Sequence, residues 1–214
     1  MVYMIKTKKD KRDFIEADLK SQGIKQISLK MKLTSLFIPK IWKYQYLLRE
    51  LEYCINTGKK MRSKLLSLRF HRLGAKLGFS IEPNIFGPGL CLCHNGTIVI
   101  NGNCKIGANA RIHAGVNIGN YSRFDENWTP DNAPIIGDNV YIGPGAKLFG
   151  KINIGNNVAI GTNAVVNKDV PDSVTVGGVP AKIINHKGSE GLIIYGADVN
   201  YKKQEKKDVK NEKL

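Results

Sequence analysis

Residues 135–166 read IIGDNVYIGPGAKLFGKINIGNNVAIGTNAVV. An aliphatic residue returns at every sixth place: Ile136, Ile142, Leu148, Ile154, Ile160 and Val166. The same phase runs back through Ile118, Ile112, Ile106 and Ile100. Strands repeat every two residues and helices every 3.6, so neither gives six. A chain wound as a triangular prism does. Each hexad makes one short flat strand and a corner, and three make a coil that stacks on the next with parallel hydrogen bonds. The aliphatic residue points inward. Gly and Asn near the corners, as in IGANAR, IGDNVY, IGNNVA and IGTNAV, tolerate positive φ at low cost. The expected fold is mainly β, a left-handed parallel β-helix with an α-helical segment before it.

Working outward, the phase is lost in NYSRFDENWTPDNAP, where positions 124 and 130 hold Phe124 and Pro130, and resumes in register at Ile136. That pattern predicts an excursion over residues 120–133. The period ends at KDVPDSVTVGGVPAKII. Three parts follow: a basic α-helical segment 1–79, the β-helix 80–186 and a charged tail 187–214, whose last fifteen or so residues have the composition of a disordered chain. In the first part, LLRELEYCI sets Leu47, Leu48, Leu51, Cys54 and Ile55 on one side of a helix. A second helix is expected from Lys60 to Leu77, stopped by Gly78.

The net charge of +15 is unevenly spread. Residues 1–76 carry +13, while residues 77–186 balance seven cations against seven anions. No nucleic-acid motif accompanies the basic part, so no nucleic-acid partner is expected. Packing against the β-helix or a partner subunit suits this segment, and peripheral association with an anionic membrane is the alternative it leaves open. The start, MVYMIKTKKDKRD, lacks the apolar core of a secretory leader, and no stretch reaches the length of a membrane span. A cytoplasmic location is expected. Cys54, Cys91, Cys93 and Cys104 are too few for a disulfide framework. C-x-C-H at 91–94 has no second ligand pair at metal spacing, so no metal is expected.

The repeats, together with NKDVPDSVTVGGVPAKII, resemble those of hexapeptide-repeat acyltransferases. HNGTIVINGNCKIGANARIHAGVNIGN most resembles the serine acetyltransferase branch, and within it the acetyltransferases of capsule and exopolysaccharide synthesis. The likeness covers roughly residues 80–186. It implies a homotrimer, active sites in clefts between prisms, and acetyl-CoA as co-substrate lying along the groove. His94, in CHNGTIVI, falls at the family's catalytic histidine. Ser80 falls where the family places the aspartate that orients it, and Glu82 is the nearest carboxylate. Ala133 stands at a second family histidine used in serine binding, and Cys93 replaces an aspartate. The resemblance further implies contacts to the coenzyme from Pro144, Gly145, Ala146, Gly161 and Thr162 along the pantetheine arm. Asn167, Lys168 and Lys182 would lie near the nucleotide.

Acetyl transfer from a thioester needs a group that takes a proton from the attacking hydroxyl, and histidine suits that task. His94 lies six before Ile100, in phase with the inward positions, and is expected to be the base, with Glu82 orienting it. His113, one residue after an inward Ile, belongs at a corner or on the outer surface, as a substrate contact or second base. Asp125 and Trp128, with Glu126 and Asp131, make the excursion a candidate acceptor loop. The missing serine-recognition residues favour a sugar hydroxyl of a surface polysaccharide or its precursor. Serine is the alternative acceptor, and a non-catalytic scaffold with a basic membrane-surface segment is the alternative outside enzymes.

Overall fold

The six-residue period becomes three flat faces, each one strand per coil. The computed structural model describes residues 3–24, 39–120 and 129–199. The first face stacks β1 (Phe79–Ser80), β3 (Ile98–Ile100), β6 (Asn117–Gly119), β9 (Lys147–Phe149) and β12 (Val165–Val166). The second stacks β4 (Lys105–Ile106), β7 (Ile135–Ile136) and β10 (Asn153–Ile154). The third stacks β2 (Cys91–Leu92), β5 (Arg111–Ile112), β8 (Tyr141–Ile142), β11 (Ala159–Ile160) and β13 (Thr175–Gly177). β14 (Lys182–Asn185) then folds back antiparallel on β13 and ends the stack. All other strand pairs are parallel. This is the left-handed parallel β-helix that the hexads imply.

Strands of two or three residues are too short to hold themselves, so their backbone groups bond to the coils above and below, as Asn117 N–H does to Ala146 O at 3.0 Å. Inside, the ten in-phase aliphatics are all buried. Ile112, Ile142 and Ile160 lie one above another with no exposed surface. Each such side chain contributes about 1.5–3 kcal/mol of transfer free energy.

Register fixes the length of each coil. Ile142 faces Ile160, eighteen residues on. Ile118 faces Leu148, thirty residues on, two hexads more than one coil, so the phase is kept across that interval. The first coil is longer: Leu92 faces Ile112, twenty residues on. Leu92, fully buried, therefore fills the inward slot that the six-phase assigns to His94. His94 is exposed on the bend between β2 and β3. The surplus residues sit in that bend, which is why extrapolating the phase past Ile100 fails.

The N-terminal part supplies three described helices. α1 (Lys8–Ser21) starts at a capping box in which Thr7 and Asp10 bond each other's backbone N–H. α2 (Lys40–Asn56) buries Leu48, Leu51 and Cys54, while Ile55 stays exposed. α3 (Lys60–Leu77) has the expected ends, and Gly78 stops it at φ 82°. A Cβ at Gly78 would also lie 2.9 Å from the Gly96 backbone. The buried stripe of α3 is Leu66, Phe70, Gly74 and Leu77, and Leu65 and Leu68 face outward. Among the described residues no helix is long and apolar enough to cross a membrane.

A buried charge cluster fastens helices to prism. Arg49 on α2 is wholly buried and bonds Asp18 on α1 and Glu52 one turn along. Its Nη atoms also donate to Phe86 O (3.2 Å) and Gly87 O (2.7 Å) of the first coil. Asp18 in turn accepts from Gly89 and Leu90 N–H, each at 2.8 Å. Beyond β14 the chain runs back along the edge between second and third faces. There Asn109, Asn139 and Asn157, all at positive φ, form a side-chain ladder. Ser189 bonds Asn139 O at 2.6 Å and Asn157 O at 3.0 Å, and Gly196 and Ala197 donate to Asn109 Oδ1. The charged stretch from residue 200 onward lies outside the described residues.

Arg49→Met should destabilise the chain by about 3–5 kcal/mol, because it strands two buried carboxylates without their cation. Urea unfolding checks this, and an unshifted midpoint would contradict the fastening role.

Candidate active site

The edge where the third face turns into the first gathers the chemistry. Two parallel outer columns climb the third face. In one, Cys91 faces Arg111, Arg111 faces Tyr141, Tyr141 faces Ala159 and Ala159 faces Thr175. The neighbouring column, two places on, therefore holds Cys93, His113, Gly143, Gly161 and Gly177. Its lower members carry side chains and its upper members are bare. A Cβ at Gly143 would lie 2.8 Å from Ile160 O, so the coil above excludes a side chain there.

His113 is the best-defined member. Its ring lies 5.8 Å from that of His94 and 5.1 Å from that of Tyr141. It sits on the outer surface at the corner, as its place after Ile112 implies. Its Nε2 is buried yet has no hydrogen-bond partner, the only such side-chain atom among the described residues. Burial, then the Arg111 charge and His94, hold its pKa below the ordinary value of 6.5. A neutral imidazole with one buried, unpaired nitrogen results. Tyr141 is held above its ordinary value of 10.0, chiefly by burial and then by Cys93.

His94 stands exposed at the open side of this pair. Glu82 is not beside it. Glu82 follows β1, at the corner between first and second faces, and packs toward Gly102, where a Cβ would lie 3.1 Å from its side chain. No ion pair among the described residues involves His94. The carboxylate expected to orient the histidine is thus a corner away within the chain, because the first face lies between the two corners.

The expected coenzyme residues divide between edges. Pro144, Gly145, Ala146, Gly161 and Thr162 lie on the histidine edge, one and two coils above His113. Gly145 takes φ 74° there, and its N–H bonds Ala114 O at 2.9 Å. Lys182 joins them, paired with Gly177 at the top of the bare column. Asn167 and Lys168 follow β12, at the next edge. The glycine column forms a bare strip with Lys182 at its end. Asp125 and Trp128 lie outside the described residues. Ala133 is buried and offers no polar group. No group of three or more His, Cys, Asp or Glu side chains among the described residues is placed to hold a metal.

Sequence reasoning missed Arg111 and Tyr141. The signal was available: each precedes an inward Ile, so it points outward from the same face as His113.

No family model matches the chain. Among curated relatives, the serine acetyltransferase of Staphylococcus epidermidis is 39% identical over 112 residues, covering 52% of this chain and 51% of that protein. The Staphylococcus aureus enzyme is 40% identical over the same length, with the same shares. The chain thus spans about half the length of the curated relatives it matches. Among solved structures, Neisseria gonorrhoeae serine acetyltransferase superposes with a TM-score of 0.66 at 31% identity, over 85% of this chain and 68% of that one. A Brucella abortus serine acetyltransferase in complex with coenzyme A gives 0.66 at 26%, over 85% and 70%.

In an NMR titration His113 should protonate below pH 6.5, the ordinary value. Arg111 opposes the imidazolium, so Arg111→Ala should raise that midpoint. A midpoint at or above the ordinary value in the unaltered chain would contradict the geometry.

Proposed function

The chain belongs to the serine acetyltransferase family of hexapeptide-repeat acyltransferases, and we propose that it moves an acetyl group from acetyl-CoA to a hydroxyl. The observation that carries this reading is the exposed His94 beside the neutral His113, at the foot of a bare glycine column.

In the proposed reaction His94 takes the proton of the acceptor hydroxyl as its oxygen attacks the thioester carbonyl carbon. The tetrahedral oxyanion is met by donors at the edge, and the His113 imidazole beside His94 serves as an acceptor contact. Collapse breaks the C–S bond. His94 returns its proton to the departing coenzyme thiolate, leaving the acetyl ester and free thiol. Pro144–Ala146 and Gly161–Thr162 flank the pantetheine arm, and Lys182 meets phosphate. A homotrimer is part of the proposal, a neighbouring prism supplying the second wall of the cleft.

Free serine is the acceptor that the relatives favour, since the enzymes this chain resembles are serine acetyltransferases. A sugar hydroxyl, as in capsule or exopolysaccharide acetylation, is the second reading, and a specific observation favours it. The groups whose charge reaches His113 and Tyr141 are Arg111, His94 and Cys93. Among the described residues none of these groups is a carboxylate that could match the ammonium of an amino acid.

Thiol release from acetyl-CoA, followed with serine and with a panel of sugars, tests both. His94→Ala should lower kcat about 10²–10⁴-fold with whichever acceptor is turned over. Near-normal turnover in that variant would remove His94 as base. Light scattering should give the mass of three chains, and a monomer that retains full activity would contradict the shared cleft.

A further inference from the structure

The outer surface of β2 carries two thiols that acetyl transfer leaves without a task. Cys91 and Cys93 flank the inward Leu92, so both point away from the core. Their sulfurs stand 3.9 Å apart. Arg111 donates to Cys91 Sγ at 3.6 Å. Cys91 is buried and Cys93 half-buried, whereas Cys54 and Cys104 are buried far along the chain from each other. The hydrogen bond between the pair lowers the Cys93 pKa and raises that of Cys91, and the nearby Arg111 charge favours the thiolate. A thiolate with a second thiol in reach and a cation alongside is the arrangement that oxidants select.

We propose that Cys91 and Cys93 form a reversible dithiol–disulfide site that hydrogen peroxide oxidises and that displaces the adjoining His94. The Cys93 sulfur attacks one peroxide oxygen, the O–O bond breaks, and the released hydroxide takes a proton to leave as water. The resulting sulfenic acid is attacked by the Cys91 sulfur; the S–O bond breaks and the hydroxide leaves with the Cys91 proton as a second water. Two thiols lose two hydrogens in all, and one peroxide becomes two waters. Two residues apart on an extended chain, the Cα atoms stand about 6.6 Å from each other. That is near the long end of the range for a disulfide, about 4.4–6.8 Å. Closing the sulfurs to about 2.05 Å therefore needs the chain to pucker, and a strained bond of this kind is readily reduced. Cys91 and Cys93 N–H are held by Ala110 O at 2.9 Å and Ile112 O at 3.0 Å, and Leu92 N–H by Gln45 Oε1 at 3.0 Å, so a pucker loosens this anchored strand end and shifts the bend after it, which carries His94.

The test treats the full chain with hydrogen peroxide, alkylates remaining thiols after unfolding, and weighs the peptides. The expected result is a peptide spanning Cys91 and Cys93 lighter by about 2 Da and restored by dithiothreitol, with Cys54 and Cys104 still alkylated. Cys91→Ser should abolish that species and leave Cys93 as sulfenic or sulfinic acid. Acetyl transfer should fall about tenfold or more while the disulfide persists and recover on reduction. Peroxide that leaves both thiols free, or that takes Cys93 in the unaltered chain to sulfinic acid without a disulfide, overturns the site. A disulfide that forms without changing turnover overturns the displacement of His94. The effect on turnover rests on the acetyl-transfer reading; the mass readout does not, so the two fail separately.

Discussion

The stacking of one inward aliphatic side chain on the next is the constraint from which the rest follows. Ile112, Ile142 and Ile160 can lie one above another only if each coil closes after a set number of residues. Closure fixes the inner column and with it every outer one, because side chains alternate across a strand. The column Cys93, His113, Gly143, Gly161, Gly177 is therefore a consequence of the core. A one-residue slip in any coil would turn its outer residue inward. The prism holds chemistry at fixed heights along an edge while contributing little chemistry of its own.

Such a stack has open ends, and exposed strand edges invite pairing with other chains. The two ends are closed differently. At the top β14 folds back on β13. At the bottom, the helices cover the first coil through groups that need each other: Arg49 satisfies Asp18, Glu52 and two coil carbonyls, and Asp18 satisfies two coil amides. The charges of this junction face inward. Among the described residues, Arg62, Lys64, Arg69, Arg72 and Lys76 are instead exposed on α3. The return of residues 186–198 along the asparagine ladder bonds three successive coils, through Asn157, Asn139 and Asn109.

How much of this was legible follows the same logic. The hexad period is a local rule repeated many times, so fold, strand positions and the excursion could be read directly. His94 was placed inward because the phase was carried past Ile100 into a coil whose bend is two residues longer, and no local feature of CHNGTIVI announces that. Arg111 and Tyr141 are readable in principle, since each sits one place before an inward Ile; Arg111 is two residues from His113, whereas only pairing between coils brings Tyr141 to it. Glu82 is the carboxylate nearest in sequence to Ser80, but the width of the first face separates its corner from the histidine edge. The Arg49 junction depends on two helices and a coil meeting, which no single stretch records.

The central claim is that one prism edge, the one bearing His94 and His113, receives the thioester. A crystal structure of the chain with bound coenzyme A tests it most directly. The account predicts the coenzyme sulfur beside the two imidazoles, with the pantetheine arm along Gly143, Gly161 and Gly177. A sulfur seated at the edge of Glu82, Asn167 and Lys168, away from both histidines, would contradict it.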